Sequence, residues 1–184
     1  VTLRTSELIE RVRRRYGDAP VRGVPATDDD IAAAEAILGC AFPPSYRAFL
    51  RQVGGLSLPP HLGVVHDIVG LHGDGGDAPV AAPASDHSSA AWPMPLPRGG
   101  VVEHTLAARR SHRLDDHLVV VGMGAGFREW FCLDVRRTDE AGECPVRLYD
   151  ASDRALDGEF YSDFGRMVEE VLGFVEQQLE VPLD

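Results

Sequence analysis

The chain has 184 residues, of which 44% are hydrophobic. That is enough to bury a sizeable core in one domain of ordinary size, and it excludes wholesale disorder. Its apolar runs fall far short of the roughly 20 residues a membrane span needs, and no basic stretch precedes an apolar one at the N-terminus as in a secretory leader. The net charge of −11 repels phosphate backbones and argues against general nucleic-acid binding.

In chain order, a first helix is expected over residues 3–16, where Leu8, Ile9, Val12 and Tyr16 form an apolar stripe and Gly17 follows as a stop. A second helix is expected over 28–38. Thr27 suits its N-cap, with Asp30 three residues on as in a capping box, and Asp28 to Asp30 complement the helix dipole. Ile31, Ala34, Glu35 and Leu38 repeat at helical spacing, and Gly39 ends the run. A third helix is expected over 44–53, opened by Pro43-Pro44, striped by Tyr46, Phe49, Leu50 and Val53, and ended by Gly54-Gly55. Ile31, Leu38, Tyr46, Phe49 and Leu50 are the predicted core of this pair.

Residues 62–71 read as a strand or a kinked strand pair. Residues 73–98 lose all periodicity, hold five prolines and read as a loop insertion, with Trp92 as the one large anchor. A short helix is expected over 101–113. The sheet then follows, with strands at 118–122, 128–134 and 145–149 and a glycine turn at 122–126. Arg136–Gly142 reads as a polar connection and residues 150–159 as an acidic turn, and the last helix is placed at 160–180, with Asp163 in its first turn. Helices, then strands, then a helix argue for one α+β domain over residues 1–184. Its antiparallel sheet of about four to six strands packs with N-terminal and C-terminal helices.

No motif carries chemistry. The run VVVGMGAGF lacks the helix that a dinucleotide fingerprint needs after its glycines. The seven histidines form neither HExxH nor HxH, the acids at 150, 153 and 157 miss the EF-hand spacing, and GxSxG does not occur. Catalytic residues, a cofactor and a metal site are therefore not expected. Cys40, Cys132 and Cys144 are odd in number and widely spaced, which predicts reduced thiols and a cytoplasmic location. The absence of Lys and Asn, both encoded by AT-rich codons, points to a GC-rich and bacterial genome.

The segment Thr27, Asp30-Ile31, Glu35, Leu38-Gly39, then Phe42-Pro43-Pro44-Ser45-Tyr46-Arg47-Ala48-Phe49-Leu50, then Gly54-Gly55, resembles the opening of the SUKH superfamily in its Smi/Knr-like branch. Gly126 to Asp134 resembles that family's glycine turn and "Leu-Asp" strand, and Cys144 to Asp150 its next strand. The resemblance covers about residues 25–180. The chain departs from the pattern at Gly126-Phe127-Arg128-Glu129, where many members have Gly-Asp, and at the 73–98 insertion. The resemblance implies an α+β fold without a catalytic set. It also implies an immunity protein that neutralises a toxin, often a nuclease, by occlusion. The alternative is a regulatory or scaffold domain binding a housekeeping protein.

Residues 134–184 hold five Arg against fourteen acids, which suits a basic protein partner, although an acidic face also serves solubility alone. The expected contacts are Asp139, Glu140 and Glu143 between strands, and Asp150, Asp153 and Asp157 before the last helix.

Overall fold

A computed structural model describes residues 3–16, 24–58, 65–71, 99–124 and 128–179. The expected 73–98 insertion and part of the 122–126 glycine turn lie outside the described residues. Among the described residues there are five helices: α1 (Leu3–Tyr16), α2 (Asp28–Leu38), α3 (Pro44–Gln52), α4 (Val101–His112) and α5 (Phe164–Leu179). The described residues also hold six strands, β1 (Leu56–Ser57), β2 (Val65–Ile68), β3 (Leu118–Gly124), β4 (Glu129–Asp134), β5 (Val146–Asp150) and β6 (Ala155–Tyr161), which form one sheet in sequential order. Every pairing is antiparallel, so the fold is α+β as the element order predicts.

The second helix is built as its sequence specifies. Thr27 Oγ1 accepts from the Asp30 amide (3.2 Å), and the Thr27 amide donates back to Asp30 Oδ2 (3.0 Å). Gly39 stops the helix at φ 71°, a left-handed geometry that costs glycine nothing. The predicted core is in place, with Ile31, Leu38, Tyr46, Phe49 and Leu50 all buried. Tyr46 joins the two halves of the domain: its hydroxyl donates to the Val69 carbonyl (2.7 Å), and its ring lies 4.7 Å from that of Phe164. The fifth helix packs on α1, α3 and β6, and α4 packs on β3 and α2.

Several boundaries differ from the sequence reading, most of them by one or a few residues. The third strand continues through Gly122 and Gly124 instead of turning at Gly122. There Gly122 is squeezed between its neighbours, and a Cβ on it would lie 3.2 Å from the Asp67 carbonyl oxygen and 3.3 Å from Phe131 Cβ. The expected 160–180 helix begins only at Phe164, because Phe160 and Tyr161 finish β6. Asp163 consequently caps α5 from outside, its Oδ1 accepting from the Arg166 amide (2.7 Å), and does not occupy the first turn. The two-residue β1 also escapes the sequence reading, since a strand that short carries no periodicity.

Strand β4 shows why alternation is a weak guide here. Its side chains do alternate in direction, but Trp130 to Asp134 are all buried, so both faces of the strand are covered. Trp130 stacks on Tyr149 (5.5 Å) and meets His112 of α4 edge-on (4.8 Å), while Phe131 meets Phe160 and Tyr161.

Candidate functional site

The acids singled out by sequence occupy two ends of the sheet and its rim. Leu133 lies opposite Val146 and Glu129 opposite Asp150, so the β4–β5 connection and the β5–β6 turn are at opposite ends of β5. At a rise of about 3.4 Å per residue, those ends are about 14 Å apart. Asp139, Glu140 and Glu143 lie at one end, and Asp150 and Asp153 at the other. Asp157 lies within β6 instead of a loop, which corrects the reading of residues 150–159 as a single acidic turn.

Three of the six acids hold the fold together. Asp139 Oδ1 accepts from the amides of Ala141 (2.9 Å) and Glu143 (2.8 Å), closing its own loop. Asp150 Oδ1 accepts from the Ser152 amide (2.7 Å) in the same way. Glu143 reaches across to α3, which begins after Pro43, a residue with no side chain able to cap it. Its carboxylate accepts from the Ser45 amide (2.9 Å) and the Ser45 hydroxyl (2.6 Å), acting as a cap supplied by a distant loop. Glu143→Ala is therefore expected to cost about 0.5–2 kcal/mol of stability, as loss of a conventional cap does. A thermal melt checks this.

The other three are free. Glu140, Asp153 and Asp157 are exposed, and their carboxylates make no ion pair or hydrogen bond with the described residues. Cations do lie near the acidic rim. Arg147 donates through Nε (3.1 Å) and Nη2 (2.8 Å) to the Asp157 carbonyl, and Arg137 lies 3.4 Å from Glu159. Arg147 also lies 3.5 Å from the buried Asp134, which His117 approaches to 3.8 Å.

The thiols are unsuited to nucleophilic work. Burial pushes the Cys144 thiol up to about 12, raises that of Cys132 further and raises that of half-buried Cys40, so all three stay protonated at neutral pH. Among the described residues no three His, Cys, Asp or Glu side chains converge as metal ligands. Of the histidines, His61, His72 and His87 lie outside the described residues. His66 is beside Asp67 (3.1 Å), and His104 and His112 are buried on α4.

His112 links the fold to pH. Burial against Trp130 lowers its pKa below the ordinary imidazole value, the nearby Arg154 charge lowers it further, and a hydrogen bond with the Ala151 backbone opposes both. The unfolded chain therefore takes up this proton first as pH falls. The stabilisation is complete above about pH 6.5 and is lost as pH drops from there towards the folded value. The melting temperature should fall over that window, and fall less steeply in His112→Phe. Parallel slopes for the two proteins would contradict it.

The model of the SMI1/KNR4 family (SUKH-1) matches residues 25–170, which run from just before the capped second helix into α5. The chain belongs to the SMI1/KNR4 family. Among curated proteins, none matches it. The match begins two residues before the Thr27 cap and takes in Glu35, the Pro44–Gln52 helix, the whole sheet and all six acids, so this SUKH-1 domain holds its candidate surface within the family's own boundaries. Among the described residues no helix is long and apolar enough to cross a membrane.

Proposed function

We propose that this SUKH-1 domain is an immunity protein. It binds a toxin, a basic nuclease domain, in a bacterial cytoplasm and neutralises it by occlusion, without chemistry of its own. The observation that carries the reading is the SMI1/KNR4 match over residues 25–170. The net charge of −11 and the free carboxylates of Glu140, Asp153 and Asp157 support a basic partner. Occlusion needs only a complementary surface, and the exposed acids at two sheet ends and in β6 are available to meet a basic one.

The test is titration of a co-encoded nuclease with the protein, reading residual nuclease activity and association rate. Exposed charges act mainly on encounter. Glu140→Ser, Asp153→Ser and Asp157→Ser together should slow association about tenfold at low salt and much less at high salt. Equal rates for wild type and triple variant at both salts would remove these acids from the mechanism. A nuclease left fully active by a saturating amount of the protein would favour the regulatory or scaffold reading.

A further inference from the structure

Among the described residues the sixth strand pairs with β5 alone, is seven residues long against five for β5, and forms one edge of the sheet. The opposite edge, β1, has only two residues. Along β6, five of the seven residues are exposed and the other two are half-buried. A Cβ built on Gly158 at its centre would meet nothing within 4 Å, so the face of the sheet is uncovered there. Every second residue of an edge strand turns its amide and carbonyl outwards, where another extended chain can bond to them. The strand is also held in position. Arg147 grips the Asp157 carbonyl where the β5–β6 register slips, and the 47% exposed Phe160 is braced edge-on by Phe131 (5.5 Å) and Tyr161 (5.0 Å).

The charge pattern selects the occupant. Asp157 and Glu159 flank Gly158 and both are exposed; the Asp157 carboxylate has no partner among the described residues, and Glu159 shares its charge with the exposed Arg137 at 3.4 Å. If two copies of β6 paired antiparallel about Gly158, Asp157 of one would face Glu159 of the other. Like charges directly opposite each other destabilise a sheet. A second copy of this chain is thus disfavoured, and a strand bearing Arg or Lys at alternate positions is favoured. We propose that β6 is a docking edge that receives an extended basic segment of the protein partner as a seventh strand, with Phe160 as the apolar contact at its end. The inference deepens the proposed function and rests on its reading of the partner as basic. Backbone pairing supplies the attachment, and Asp157 and Glu159 supply the selection.

The experiment uses the full chain and a dye-labelled, end-capped short peptide alternating Arg with Val. A Glu-Val counterpart and an Arg-Val peptide N-methylated at alternate amides serve as comparisons. Affinity is read by fluorescence anisotropy, and the site by amide hydrogen exchange. The Arg-Val peptide should bind and slow exchange in residues 155–161, the Glu-Val peptide should bind at least about tenfold more weakly, and N-methylation should abolish binding. Asp157→Lys with Glu159→Lys should reverse the preference towards the Glu-Val peptide, a gain that misfolding cannot mimic. No binding of the Arg-Val peptide, protection elsewhere than 155–161, or binding indifferent to N-methylation would overturn the proposal. The two readings also fail separately. If the Lys variant neutralises a co-encoded nuclease as well as wild type does, the docking edge is wrong and neutralisation stands. If wild type shows the peptide behaviour but leaves that nuclease active, the edge stands and neutralisation is wrong.

Discussion

Phe49→Ala is expected to destabilise the domain by about 3–5 kcal/mol, the usual loss when a fully buried phenyl ring is deleted. The Phe49 ring has no solvent exposure and meets Phe164 of the last helix edge-on at 5.4 Å. Its removal empties space between α3 and α5 that Tyr46 cannot fill, because that ring is tied to the Val69 carbonyl. A loss of this size is a large share of the 5–15 kcal/mol by which domains are generally stable. At a typical slope of about 2 kcal/mol per molar urea, the unfolding midpoint should fall by about 2 M. An unchanged midpoint would mean that the α3–α5 contact is not as described.

Glu35→Ala is expected to cost about 2 kcal/mol, through polar groups instead of volume. Glu35 stands among the apolar repeats of α2, and the structure explains why a carboxylate is there. Its Oε1 accepts from Arg47 Nε (2.8 Å) and from the Phe42 amide (2.6 Å), and its Oε2 accepts from Arg47 Nη2 (2.6 Å). One side chain thus fastens α2 to α3 and holds the chain between them. The Glu35 side chain is 13% exposed and that of Arg47 is 36% exposed, so a guanidinium left alone regains part of its hydration, which keeps the cost below that of a deeply buried pair. Glu35→Gln, which keeps an acceptor for the Phe42 amide, should lose about half as much. The double variant with Arg47→Ala should cost less than the two single changes added together, because each already removes the shared bonds. Simple additivity in urea unfolding would show that the pair is not coupled.

Much of the helical part is legible from residues near one another in the chain. The Thr27–Asp30 box, the Gly39 stop and the proline start of α3 act within a few positions of themselves, so composition and spacing place α2 to the residue and α3 to within one. The same opening motif carries the family resemblance, which the SMI1/KNR4 match bears out. The strand at 118 is visible as an apolar run, the one at 129 through its alternating large apolar residues, and the one at 146 through Val146 and Leu148. Strand β6 has no such run. Its exposed residues Asp157, Gly158 and Glu159 resemble a turn, and only pairing with β5 makes them a strand.

The acids divide between what is local and what is not. That residues 134–184 are rich in carboxylates is a property of the sequence alone. Which of them are free was decided by the tertiary structure, since a carboxylate's role depends on which donors the fold brings within about 3 Å of it. Glu143 and Glu140 look alike in sequence, yet the fold sets Glu143 against the uncapped amide of Ser45, 98 positions away, and leaves Glu140 in solvent. Asp157 faces solvent from an open edge for the same reason. Capping and periodicity are short-range and can be read along the chain, whereas strand pairing and the fate of a charged side chain depend on contacts that form only when distant segments meet.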